Sequence, residues 1–167
     1  MSTYPHDLKP SVEAVIGRLL TEKELTLAVA ESCTGGLIGH RVTNVPGSSA
    51  YFRGSITAYA YDVKETLLSV PRETLDEHGA VSAPTARQMA KGARRAINTD
   101  LGISATGIAG PGGATPEKPV GLVYLGLAAA DVVWVESRVF HGDRLENKVS
   151  SAEAALDLLR RYLEGSL

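Results

Sequence analysis

Apolar residues recur along this chain at two spacings, and the switches between them mark out the elements. After Pro10, residues Val12, Val15, Ile16, Leu19 and Leu20 step by three and four, the spacing of one helical face, and predict an amphipathic opening helix. "LTLAVA" (Leu25 to Ala30) is almost wholly apolar and runs into turn formers, the pattern of a short strand buried on both faces. "GGLIGHRVTNV" reads as a helix whose first turn lies at Gly35 and Gly36, and "VPGSSAYF" (Val45 to Phe52) as turn chemistry. "SITAYAY" alternates as a strand, carrying Thr57, Tyr59 and Tyr61 to one face with Lys64 just past its end. "SAPTARQMAKGARRAI" predicts a helix with Ser82 as N-cap and Ala86, Met89, Ala90, Ala93 and Ile97 on its apolar side. "LGISAT" predicts a second buried strand, and "LVYLGLAA" and "VVWVESRVF" an antiparallel pair turned at Asp131. From Asp143 a long closing helix lines up Leu145, Val149, Ala152, Leu156, Leu159 and Leu163. Helices alternating with buried strands, without repeat or linker, predict one domain over residues 1–167: an α/β fold in three layers, α/β/α, around a mixed, mostly buried β-sheet.

Composition narrows the function classes. With 17 basic and 19 acidic side chains the net charge is −2, which offers no electrostatic footprint for nucleic acid or an anionic membrane. Arg94-Arg95 and Arg160-Arg161 read as solvated helix faces. The N-terminal "MSTYPHDLKP" lacks a secretory pattern, and no window approaches a membrane span, so a cytoplasmic protein is expected. One cysteine and four scattered histidines, His6, His40, His78 and His141, form no metal-ligand motif, so neither metal nor cofactor is expected.

Two loops have the position and composition of a ligand site, because in open α/β sheets ligands bind beyond the carboxyl ends of the strands. They are "ESCTGG" and "ATGIAGPGG". Glycines allow close backbone approach, and a helix N-terminus offers free N–H groups to a phosphate or oxyanion. Neither loop fits a standard nucleotide fingerprint. Ser32, Cys33 and Thr34 lie in the first, and Ser48 and Ser49 in "VPGSS". No GxSxG elbow is present and no histidine is marked as a base, so Lys64, desolvated beside a serine and relayed by a tyrosine, is the candidate base. Cys33 after a buried strand reads as small core filling.

The stretches "AESCTGG", "VPGSSAYFRGSITAYAYDVK", "HGAVSAPTARQMAKGA", "ATGIAGPGG" with "KPVGLVY", and "GDR" before the last helix span nearly the whole chain. In that order they resemble the CinA C-terminal domain family, which includes the nicotinamide mononucleotide (NMN) amidohydrolases. The resemblance implies metal-free hydrolysis of the NMN carboxamide to nicotinic acid mononucleotide and ammonia. It implies Ser49 as first and Ser32 as second candidate nucleophile, with Lys64 and Tyr59 as catalytic partners. Thr34, Gly35, Gly36, Thr106, Gly107, Gly110 and Arg144 would bind substrate, the glycine-loop N–H groups and Arg144 taking the 5′-phosphate. It further implies a homo-oligomer, a dimer or larger. Many relatives carry an N-terminal pyrophosphatase domain, whereas this chain begins at the amidohydrolase-like part. It departs from the family at Tyr61, where Asn is frequent, and at Lys148, where Arg is frequent. The alternative is a non-catalytic nucleotide-binding module of the same fold.

Overall fold

The computed structural model describes residues 10–167; the N-terminal stretch read for a secretory signal, with His6, lies outside the described residues. The elements run α1 (Val12–Glu22), β1 (Leu27–Glu31), α2 (Leu37–Thr43), a 3-10 turn (Ser48–Ala50), β2 (Phe52–Thr57), α3 (Tyr61–Leu68), α4 (Arg72–His78), α5 (Ala83–Ile97), β3 (Leu101–Gly107), β4 (Leu122–Ala128), β5 (Val133–Val139) and α6 (Arg144–Leu163). The five strands form one mixed sheet in the order β2-β1-β3-β4-β5. β2, β1 and β3 are parallel, and β4 and β5 are added antiparallel. Helices cover both faces, which makes the three α/β/α layers.

Alternation along β1 explains its unbroken apolar run. Leu27 and Val29 face one core, shared with Ile16 and Leu20 of α1, Ile38 of α2 and Leu156 and Leu159 of α6. Ala28 and Ala30 face the other, with Leu68 of α3, Leu75 of α4 and Met89 and Ala93 of α5. The small residues lie on the α5 side because that helix comes very close: a Cβ at Gly126 of β4 would stand 2.6 Å from the Ala86 carbonyl.

Three expectations are corrected. "SITAYAY" is a strand only through Thr57, after which Ala60 caps α3 and Tyr61 and Lys64 lie on that helix. The pattern assigned no element to residues 62–81, where α3 and α4 form, because two short helices with few apolar positions give weak periodicity. The apolar stripe of α6 reaches the core only from Ala152 onward. Leu145 and Val149 are 69% and 54% exposed, since the first turns of α6 project past the end of the sheet.

Candidate active site

The carboxyl ends of β1, β2 and β3 stand level, with Glu31 paired to Thr57 on one side and to Ala105 on the other. The ladder continues one step: Ser32 N–H donates to the Ala105 carbonyl (2.9 Å) and Ala58 N–H to the Glu31 carbonyl (2.8 Å). Ser32 and Ala58 are thereby held side by side, and a short connection turns the chain into α3, bringing Lys64 back over both. Lys64 is fully buried. Its Nζ donates to the carbonyls of Ala58 (2.7 Å) and Tyr59 (3.1 Å) and lies 3.2 Å from Ser32 Oγ. Burial pulls the ammonium down to about 8. In the neutral amine the two carbonyls occupy both N–H bonds and leave the lone pair for the serine hydroxyl. The neighbouring Cys33 thiol is pushed up to about 11, first by burial, and stays protonated at neutral pH.

A cleft of about 200 Å³ opens at this pair, lined by Ser32, Cys33, Tyr59, Lys64, Thr106, Gly107 and Arg144, with Ala80 and Val81 closing one side. Arg144, at the start of α6, donates to the Gly110 carbonyl (2.7 Å) and to the Tyr59 hydroxyl (3.2 Å), tying the glycine loop to the β2–α3 connection. Thr106 donates to the Ala80 carbonyl (2.7 Å), and Ala80 N–H donates to the Tyr61 hydroxyl (3.1 Å). Tyr61 is therefore a brace behind the cleft wall. Among the described residues no group of three or more His, Cys, Asp or Glu is gathered as a metal site would need.

Of the residues singled out from sequence, the fold gathers Ser32, Tyr59, Lys64, Thr106, Gly107, Gly110 and Arg144. It does not bring Ser49. That serine is exposed on the 3-10 turn ahead of Phe52, and Phe52 pairs with Leu27, the first residue of β1. Ser49 thus lies at the opposite end of the sheet, about 15 Å or more away at about 3.3 Å per strand residue. Thr34, Gly35 and Gly36 border a separate cavity of about 490 Å³ shared with His40, Leu145 and Lys148.

The expectation for the glycine turn is corrected as well. Gly36 takes the left-handed conformation (φ 97°) that starts α2, which suits glycine. Its N–H and that of Ile38 donate to Glu31 Oε2 (3.0 Å each), and Gly39 N–H donates to Glu31 Oε1 (2.9 Å). Ser55 Oγ also donates to Oε1 (3.0 Å), and Gly35 N–H is taken by the Ser32 carbonyl. The start of α2 is filled by the chain's own buried carboxylate and has no N–H at Gly35 or Gly36 for a phosphate. Glu31 was missed from sequence; the signal was a glutamate closing an otherwise apolar strand immediately before the candidate serine.

Residues 9–163 match the model of the CinA C-terminal domain. The chain belongs to the CinA C-terminal domain family. It is 51% identical over 153 residues to a CinA-like protein of Salinibacter ruber, covering 92% of this chain and 37% of that protein. A CinA-like protein of Dictyoglomus thermophilum is 50% identical over 153 residues, again 92% and 37%. The chain thus spans a little over a third of the length of these curated relatives. Among solved structures, a competence/damage inducible protein from Agrobacterium tumefaciens superposes with a TM-score of 0.85 at 39% identity, over 98% of this chain and 99% of that one. A competence damage-inducible protein from Klebsiella pneumoniae superposes at 0.89 with 27% identity, over 92% and 95%. These structures share the mixed-sheet architecture of the CinA fold.

Proposed function

We propose that this CinA domain is a serine amidohydrolase acting on the carboxamide of NMN. The observation that carries the reading is the buried Lys64 amine 3.2 Å from Ser32 Oγ at the floor of a cleft. Ser32 replaces Ser49 as the nucleophile, because only Ser32 has a base within reach. Neutral Lys64 takes the hydroxyl proton as Ser32 attacks the amide carbon, and returns it to the departing nitrogen, which leaves as ammonia. Lys64 then activates water to cleave the acyl-serine, releasing the acid and restoring the hydroxyl. With Gly35 and Gly36 occupied, the N–H groups of Cys33 and Thr34 remain for the oxyanion, a role typically worth about 3 kcal/mol per donor.

A cleft of about 200 Å³ suits a carboxamide-bearing ring better than a whole nucleotide. The ribose phosphate then extends along Arg144 toward Lys148, whose ammonium stands 3.5 Å from where a Cβ on Gly35 would be. Exposed Leu145 and Val149 beside this opening are the surface through which a homo-oligomer forms. The test is ammonia release from NMN by the purified protein without added metal, alongside Ser32→Ala and Ser49→Ala. Activity lost only with Ser32→Ala is expected. Activity lost only with Ser49→Ala overturns the assignment of the nucleophile, and absence of ammonia release points to the non-catalytic binding module.

A further inference from the structure

At the far end of α5 from the cleft, the helix and the β4–β5 turn enclose a groove of about 570 Å³. Arg87, Lys91, Arg94 and Arg95 line its helical side, and residues 128–133 the other. These positions fall at i, i+4, i+7 and i+8, one helical face spanning about 12 Å at 1.5 Å per residue. Arg94 and Arg95 lie on a solvated helix face as expected, and the structure adds Arg87 and Lys91 to that face. The net charge of −2 conceals a local basic stripe.

Arg18, Arg41, Arg72, Arg138, Arg160 and Arg161 are each ion-paired to a carboxylate. The stripe shares with the scattered Lys23, Arg53, Lys118, Arg144 and Lys148 the absence of an ion pair among the described residues, and differs from them in placing four cations on one helix face. Arg94 Nε donates to the Asp100 carbonyl (2.9 Å), which fixes that guanidinium while leaving further N–H donors free, whereas Arg95 Nη2 reaches the Leu68 carbonyl at the end of α3 (3.5 Å), outside the groove lining. Two acids offset the four cations only in part: the Asp100 carboxylate, bound by Thr26 N–H (2.8 Å) and Oγ1 (2.6 Å), still carries a charge that acts on Arg94, and Asp131 is a single charge on the turn. Arg94 and Arg95 complement the carboxyl end of the helix dipole, but Arg87 and Lys91 lie further up α5, where that account fails. Like charges at i, i+4 cost helix stability. A counter-ion reverses that cost.

We propose that this groove is a second ligand site, separate from the cleft, that binds a short oligophosphate, either free or as the phosphate tail of a nucleotide. The groove has the volume of a small-molecule site, and four cations along one wall match the repeated charge of an oligophosphate. No aromatic side chain lines it, so stacked bases of a nucleic acid strand have no platform. The proposal is independent of the amidase reading.

The test is titration of the full chain with tripolyphosphate and with ATP against sulfate at matched ionic strength, followed by amide chemical shifts. Binding should shift resonances in the second half of α5 and the β4–β5 turn. Arg87→Ala/Lys91→Ala, both exposed positions, should weaken it by about tenfold or more, as two lost charge-assisted bonds require, and leave ammonia release from NMN unchanged. Equal affinity for the two ligands assigns the site to the phosphate chain alone, and tighter ATP binding to a nucleotide. A dissociation constant weaker than about 1 mM for both, unaltered binding by the double variant, shifts elsewhere, or tighter binding of a single-stranded DNA oligonucleotide would each overturn it.

Discussion

Replacing Glu31 by Gln tests whether the nucleophile turn is held as described. The native carboxylate meets four donors: Oε2 accepts from Gly36 and Ile38 N–H, and Oε1 from Gly39 N–H and the Ser55 hydroxyl. The amide can keep one oxygen where Oε2 stands, but its nitrogen then faces Gly39 N–H, donor against donor, at a fully buried site. One orphaned N–H costs about 1–3 kcal/mol, and two bonds that lose their charge assistance cost about 1 kcal/mol each, so the total is about 3–5 kcal/mol. The Ser55 hydroxyl can rotate to accept and adds little. For a chain of this length, about 2–4 °C per kcal/mol translates the loss into a melting temperature lowered by about 6–20 °C. Thermal melts and urea unfolding measure it, with Ser55→Ala as the smaller step. Because Glu31 adjoins Ser32, kcat should fall more than KM rises. A Glu31→Gln protein that melts within about 3 °C of wild type and keeps its kcat would refute the reasoning.

Lys64 should make activity rise with pH through an apparent pKa near about 8, and Lys64→Arg should be nearly inactive because a guanidinium cannot become the base; a Lys64→Arg enzyme within about tenfold of wild type removes the base assignment. Since the folded value lies below the ordinary 10.5, the unfolded chain binds the extra proton between the two. The cost of burying Lys64 is therefore full below pH 8 and fades as pH rises toward 10.5, so any stability advantage of Lys64→Met in urea titrations should shrink across that window. Cys33→Ala should retain at least about a tenth of the activity, whereas loss of a nucleophile costs several orders of magnitude. Leu145→Glu should lower the mass measured by light scattering to that of one 17.6 kDa chain, and a wild-type protein already monomeric at assay concentration contradicts self-association.

The sheet was legible because period and burial agree. β1 and β3 are short runs of mostly apolar and small residues that the fold buries on both faces, and α5 shows its cap at Ser82 and its stripe together. The end of β2 was not, because "TAYAY" alternates whether or not it is a strand, and the ladder stops after Ala58 only because Ala60 already caps α3. The first and last helices, α1 and α6, share one face of the sheet. Leu145 and Val149, one turn apart on α6, are among the large apolar side chains left exposed.

Side-chain chemistry was legible by type and not by partner. Ser32 and Lys64 stand 32 positions apart, and nothing in their spacing says that the turn into α3 brings them within 3.2 Å. The same limit hid the occupants of the helix starts. Glycines before α2 suggested open N–H groups, yet Glu31 fills that end, and Asp143 fills the start of α6 through Leu145 and Glu146 N–H (2.8 and 2.9 Å). The starts of α2 and α6 are thus both neutralised from within. A phosphate arriving there cannot use the dipoles it would otherwise seek, so its recognition falls to side chains. Arg144 and Lys148 are the cations placed to meet it. Because the two stand one turn apart on α6, the proposed function has the site select its anion by the register of one helix face and not by a glycine cradle.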